Sequence, residues 1–234
     1  MMERSKKKAP RRSSNIFTDI KYYLFCKPPV DTHVEHNGSG TRAELGKSIL
    51  QRTGIDVDNY KMLNVHRVGI ETPASYVFEE LMRWNGDALC WPNRIAKVQL
   101  QDDRLENIKI YLFGISRRLF GLRLFHLFDL SSIRIQRMPT PSDHDNARYL
   151  LYECKGGYPI GVFSMYVRSS IPERGEHEMS QLFMMVSFNF YGRNNMRIGF
   201  INRFWERVHN RVTSNMMYRI KELCEWKFES FTNE

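Results

Sequence analysis

The stretch INRFWERVHNRVTSNMMYRIKEL, residues 201 to 223, decides how the rest of the chain is read. Its large apolar residues fall at Ile201, Trp205, Val208, Val212, Met216, Ile220 and Leu223. These steps of three and four suit the 3.6-residue helical period and not the alternation of a strand. Arg203, Glu206, Arg207, Arg211 and Glu222 fall mostly off that stripe, so the predicted helix is amphipathic. With no Pro or Gly after Gly199, the helix is expected to continue to Phe228, at ~1.5 Å per residue roughly 45 Å. A helix of that length with one apolar stripe needs a broad surface to lie on.

The residues before it supply one. Met62 to Ile70 (MLNVHRVGI) reads as a strand, and Thr72-Pro73 as an N-cap followed by Pro at the first helical position. Ala74, Val77, Phe78, Leu81 and Met82 carry a helical period to Trp84, and Asn85-Gly86 ends it. Strands then follow at Arg94–Leu100, around Ile108–Leu112, Leu122–Met138, Arg148–Cys154, Gly161–Ser169 and Glu178–Phe190, with turn residues between them. In the last of these Leu182, Met184, Val186, Phe188 and Phe190 form the more apolar set and are expected to face inward. Short connections imply an antiparallel meander. The expected class is α+β: a curved seven-stranded antiparallel sheet wrapped around a long C-terminal helix.

Charge is unevenly distributed over the 234 residues. The formal net charge is +9, yet residues 1–30 hold eight Lys/Arg against Glu3 and Asp19, a surplus of six. The remaining chain therefore carries only +3, and nucleic-acid binding by the folded body is not expected. Residues 1–14 read as a solvated basic tail, and Ile16, Phe17, Ile20, Tyr23 and Leu24 as a short amphipathic segment. Two readings of this leader stay open: a short helix docked on the domain, or contact of residues 1–25 with an anionic membrane surface. Residues 31–61 are expected to be linker, 62–228 the domain, and 229–234 a tail.

Several classes are disfavoured. No apolar run approaches ~18 residues and no secretory signal pattern follows the basic start, which makes the cytoplasm the expected location, peripheral at a membrane if the leader binds one. Cys26, Cys90, Cys154 and Cys224 are far apart, as expected for separate thiols, and neither a metal nor a cofactor is expected. Gly40 to Ser48 (GTRAELGKS) has five residues between its glycines where a phosphate-binding loop needs four. No Ser/His/Asp order or carboxylate pair stands out. The one suggestion of an acid–base pair is His126 with Glu153.

The element order, VHRVGIETPASYVFEELMRW at 65–84, Trp91-Pro92 and the closing helix together resemble the START-like, helix-grip superfamily of polyketide cyclases/dehydrases and lipid-transfer domains. The resemblance spans about Met62 to Phe228. It implies a hydrophobic cavity between sheet and terminal helix, holding a lipid or other hydrophobic small molecule without a metal. The cavity wall would draw on Trp91, Met184 and Phe188 and, from the helix, Trp205, Val208, Val212 and Met216. Polar candidates for it are His126, Tyr152, Tyr166, Asn215 and Arg219, the last two spaced to share one polar spot. The entrance loop would be Arg117, Arg118, Leu119 and Phe120. Binding or transfer is the expected function, a cyclase/dehydrase using the same cavity is the alternative enzyme, and leader-driven association with a membrane or nucleic acid is the third reading.

Overall fold

The computed structural model describes residues 17, 18, 21, 25–36, 49–54, 60, 62–83, 96–100, 107–112, 126–137, 147–155, 160–170, 179–188 and 199–232. Trp91, Arg117, Arg118, Leu119, Phe120, Cys90, the basic tail and the turn after Asn85 lie outside them.

The strands are β1 (Asp31–His36), β2 (Met62–Ile70), β3 (Ala96–Leu100), β4 (Asn107–Leu112), β5 (His126–Gln136), β6 (Arg148–Lys155), β7 (Ile160–Ser170) and β8 (Met179–Phe188). The helices are α1 (Ala74–Met82) and α2 (Gly199–Thr232). All seven expected strands are present in one antiparallel sheet, ordered β1-β2-β8-β7-β6-β5-β4-β3. The last six form the expected meander, and β2 closes it by pairing with β8.

Two differences from the sequence expectation stand out. Asp31–His36, read as linker, is an eighth strand paired with the outer edge of β2. Its alternation of Thr32 and Val34 with exposed Asp31 and His33 was too short and polar to register as a strand, and its stability comes from covering an otherwise open edge. At the start of α1 the cap residue is Pro73, with ψ 144, and Thr72 makes no side-chain cap. Extended backbone before proline explains why Thr72 cannot turn into the helix.

Both faces of the sheet are covered. On one face Val68, Ile70, Leu150, Tyr152, Met165, Val167, Leu182 and Met184 pack against α1 (Val77, Phe78, Leu81) and the later part of α2 (Met216, Met217, Ile220, Cys224). On the other, Leu63, Val65, Leu151, Phe183 and Met185 pack against Ile49 and Leu50 from the helical turn at 49–52. That turn ends at Gly54, whose φ of 82 suits glycine. The expected inward set on β8 is confirmed for Leu182 and Met184, but Phe183 and Met185 are buried as well, on the opposite side. The helical layer is pinned by paired charges. Glu80 of α1 meets Lys227 of α2 and Arg83, and Glu225 of α2 accepts the Glu71 N–H and pairs with Lys221.

Gly161 of β7 is a place where a side chain does not fit. A Cβ there would lie 2.1 Å from Cε1 of Tyr60, which packs on the second cluster. The Gly161→Ala chain is expected to lose about 1–3 kcal/mol in urea unfolding. Tyr60→Ala in the same chain should recover part of that loss, a coupling that a double-mutant cycle reads directly.

Candidate functional site

Register fixes which inner-face residues stand side by side. One row runs across five strand pairings as Thr32, His66, Met184, Met165, Leu150 and Ile135. The next runs as Val34, Asn64, Val186, Phe163, Tyr152 and Ser132. Apolar side chains fill the middle of both rows, while Asn64 and His66 place polar groups at the β2 end. His66 and Asn64 are both fully buried, with 0% exposure.

The first half of α2 meets that polar end with polar residues. Asn64 donates from Nδ2 to Asn210 Oδ1 at 2.6 Å. Thr32 Oγ1 lies 3.0 Å from His66 Nδ1 and 3.2 Å from Ser214 Oγ. His209 stands beside His66, ring centroids 6.3 Å apart, and its Nε2 is 3.5 Å from Thr213 Oγ1. The seam between β1, β2 and α2 is thus built of Thr32, Asn64, His66, His209, Asn210 and Ser214. Among its helical members Asn210 and Ser214 are four apart and His209 adjoins Asn210, which puts them on one side of α2.

Burial and the neighbouring imidazole push the His66 pKa down from the ordinary 6.5 to about 3; burial pushes His209 to about 4. Both rings are therefore neutral at pH 7. His66 Nε2 and Asn64 Oδ1 have no hydrogen-bond partner among the described residues. Buried polar atoms are nearly always partnered, so two on adjacent rows mark a place suited to a further polar group. Further along, burial raises the Tyr152 pKa, keeping its phenol protonated; its ring lies 6.4 Å from Phe163.

The sequence-predicted residues divide. Tyr152, Met184 and Met216 share the inner-face cluster. Val208 and Val212 are only half-buried, because the side of α2 turned to β2 in this half carries His209, Asn210, Thr213 and Ser214. Tyr166 belongs to the other face, stacked at 6.4 Å on Tyr149 and edge-on at 6.0 Å to Phe183, so it is not with Tyr152 and Met184. Asn215 uses Nδ2 to bond the Cys26 and Arg211 carbonyls, each at 2.9 Å, and Arg219 pairs with Glu222 at 3.6 Å. Trp205 lies in α2, and Phe188 ends β8 opposite Met62. His126 begins β5 opposite Tyr111. Glu153 pairs with Ser131, five residues further along β5, or about 17 Å, and is exposed. The strands therefore keep His126 and Glu153 apart.

Sequence reading missed Asn64, His66, His209 and Asn210. The available signal was parity: Asn64 and His66 occupy the same face of MLNVHRVGI as Met62, Val68 and Ile70. No group of three or more metal-ligating side chains occurs among the described residues. No helix among them is long and apolar enough to cross a membrane.

An antiparallel sheet in this strand order, with a long C-terminal helix on one face, is the helix-grip fold. Neither family models nor curated proteins match the sequence. Solved structures similar to the chain include the Zhui aromatase/cyclase from a Streptomyces species, with TM-score 0.42 and 14% identity, covering 69% of this chain and 92% of that one. A Thermus thermophilus protein gives TM-score 0.39 and 10% identity over 68% and 94%. A Deinococcus radiodurans protein gives TM-score 0.33 and 10% identity over 65% and 93%.

The two imidazoles set a sign for acid stability. Below about pH 6.5 the unfolded chain takes up protons at both positions, while the folded chain takes them up only near pH 4 and 3. Their contribution to stability is whole above pH 6.5 and declines as pH falls through that window. Urea midpoints of the native chain should drop between pH 6.5 and 4, and His66→Gln should make that drop shallower.

Proposed function

We propose that the chain binds an amphipathic hydrophobic small molecule, a lipid among the candidates, between the inner sheet face and α2. The observation that carries this reading is the pair of buried atoms with no hydrogen-bond partner among the described residues, His66 Nε2 and Asn64 Oδ1, on rows that continue into Met184, Met165, Val186 and Phe163. A site of this composition takes a molecule with an apolar body and one neutral polar end. A hydroxyl or amide suits the end, since it can donate to Asn64 Oδ1 and either donate to or accept from a neutral imidazole. Methionines on the wall adapt to an irregular apolar shape.

The test is to extract purified protein with organic solvent, identify the co-purified molecule by mass spectrometry, and titrate it back. Asn64→Leu and His66→Leu should each weaken binding about tenfold, the usual scale of one lost buried hydrogen bond. Equal affinity in both variants, or no extractable molecule and no binding of apolar probes, would refute the reading.

A second reading, a cyclase/dehydrase kind of enzyme, draws support from the same imidazole. Neutral His66, with an open nitrogen in a buried apolar setting, is chemically fit to accept a proton from a bound substrate. Under this reading the native chain yields a dehydrated extract, and His66→Leu yields the precursor heavier by one water. Identical extracts would leave binding alone.

A further inference from the structure

We propose that Ser214 and Thr32 order the protons of the seam so that His66 presents its N–H at Nε2, and that the site therefore selects a ligand end that accepts a hydrogen bond from His66 and donates one to Asn64. The three side chains form one run of contacts. Ser214 Oγ lies 3.2 Å from Thr32 Oγ1, which in turn lies 3.0 Å from His66 Nδ1. They come from α2, β1 and β2, and Thr32 reaches the imidazole because β1 places it directly opposite His66. His66 is 0% exposed and Ser214 6%, so bulk water does not complete their bonding.

A neutral imidazole carries one proton, and each hydroxyl carries one. Three orders place them. If His66 donates from Nδ1 to Thr32 and Thr32 donates to Ser214, the Ser214 proton has no acceptor among the described residues. If His66 and Ser214 both donate to Thr32, the Thr32 proton is displaced from both contacts. If Ser214 donates to Thr32 and Thr32 donates to His66 Nδ1, both hydroxyl protons are used. The one proton left then sits on His66 Nε2, the ring atom with no partner among the described residues. A buried donor left unbonded costs more than an empty lone pair on a hydroxyl that is already bonded. Only the third order puts the unused proton where a ligand can take it.

The neighbouring row supplies the complement. Asn64 uses Nδ2 to donate to Asn210 Oδ1 at 2.6 Å, and its own Oδ1, an acceptor, has no partner among the described residues. Asn64 and His66 are two apart on β2 and share its inner face, so the two atoms stand on adjacent rows. The end they fit both accepts and donates: a hydroxyl, or the paired C=O and N–H of an amide, on an apolar body. A carboxylate or an ammonium offers only one of the two. For its ligand this inference rests on the binding reading above; the proton order rests on the seam alone. The same order stands against the enzyme reading, because a base at Nε2 needs the lone pair that this tautomer places on Nδ1.

Nitrogen NMR of the full chain labelled at histidine reads the order directly at neutral pH, with the His66 signals assigned by their loss in His66→Gln. The proton is expected on Nε2, with Nδ1 accepting a hydrogen bond; a proton on Nδ1 in the native chain overturns the proposal. Thr32→Val, which removes the hydroxyl and keeps the shape, should leave Nδ1 unbonded. Thr32→Asp places an acceptor that cannot donate beside Nδ1 and should draw the proton there. Selection is read with methyl nonyl ketone, whose head only accepts, measured against the straight-chain alkane of the same length. The ketone-to-alkane affinity ratio should fall about tenfold from the native chain to Thr32→Asp, the scale of one lost buried hydrogen bond. The alkane corrects for any change in the apolar wall. An unchanged ratio in a variant whose Nε2 has lost its proton overturns the proposal. If neither probe binds while the native proton sits on Nε2, the binding reading falls and the proton order stands.

Discussion

Everything in this fold leans on β2, which must satisfy four neighbours at once. Its two edges pair with β1 and β8, one face packs on α2 and the other on the helical turn at 49–52. Six of its nine positions, Met62, Leu63, Asn64, Val65, His66 and Val68, are buried before the strand ends at Ile70, itself buried. A strand so enclosed has no solvent to satisfy its polar side chains. Asn64 and His66 are therefore tolerable only because α2 brings Asn210 to Asn64 and β1 brings Thr32, itself bonded to Ser214 of α2, to His66. The polar seam is a condition for β2 being where it is, and the position of α2 follows from it.

This explains how the two halves of α2 relate to the sequence. From Met216 onward the apolar stripe and the buried side coincide, at Met216, Ile220 and Leu223. Before Met216 they part, since Val208 and Val212 keep partial exposure while Thr213 and Ser214 are buried. A hydrophobic period detects burial that is driven by transfer from water. It is blind to burial in which polar groups on two elements satisfy each other, and here the partner residues are about 146 positions apart in sequence. The same reasoning covers β1, whose stability is edge pairing and whose side chains are mostly polar. Tyr166 shows the complementary failure. Alternation separates it from Met165 and Val167, but with both sheet faces apolar, only the register with Phe183 assigns the face.

What was legible is the part in which one face buries apolar groups and the other does not: strand order, the Pro-led helix and the terminal helix itself, which runs to Thr232, past the expected end at Phe228 and into the residues read as a tail. The site was legible only for its apolar wall. Asn215 and Arg219 are polar residues beside an apolar stripe, and pattern alone made them look like a ligand's anchor. In the structure one ties the leader down through the Cys26 carbonyl and the other pairs with Glu222. The polar groups that do meet the apolar wall sit on β2, in a segment whose strand character was plain but whose inward polar residues carried no weight in a hydrophobic reading.

The division of α2 into unlike halves also sets where the sheet–helix seam separates most readily. The later half is held by apolar burial and by charges that cross to α1 and to the turn after β2, with Glu80 and Glu225 both under a tenth exposed. Breaking those contacts strands buried carboxylates, among the costliest losses a fold can suffer. Among the described residues, the earlier half meets β1 and β2 through neutral side-chain hydrogen bonds, which water can replace at a net cost of about 1 kcal/mol each. Neutral imidazoles add no charge attraction to oppose the separation. Partial opening therefore starts at the end of α2 that covers His66 and Asn64, while the α1 side stays closed. The Cys26 tether lies near the boundary between the halves, at Asn215.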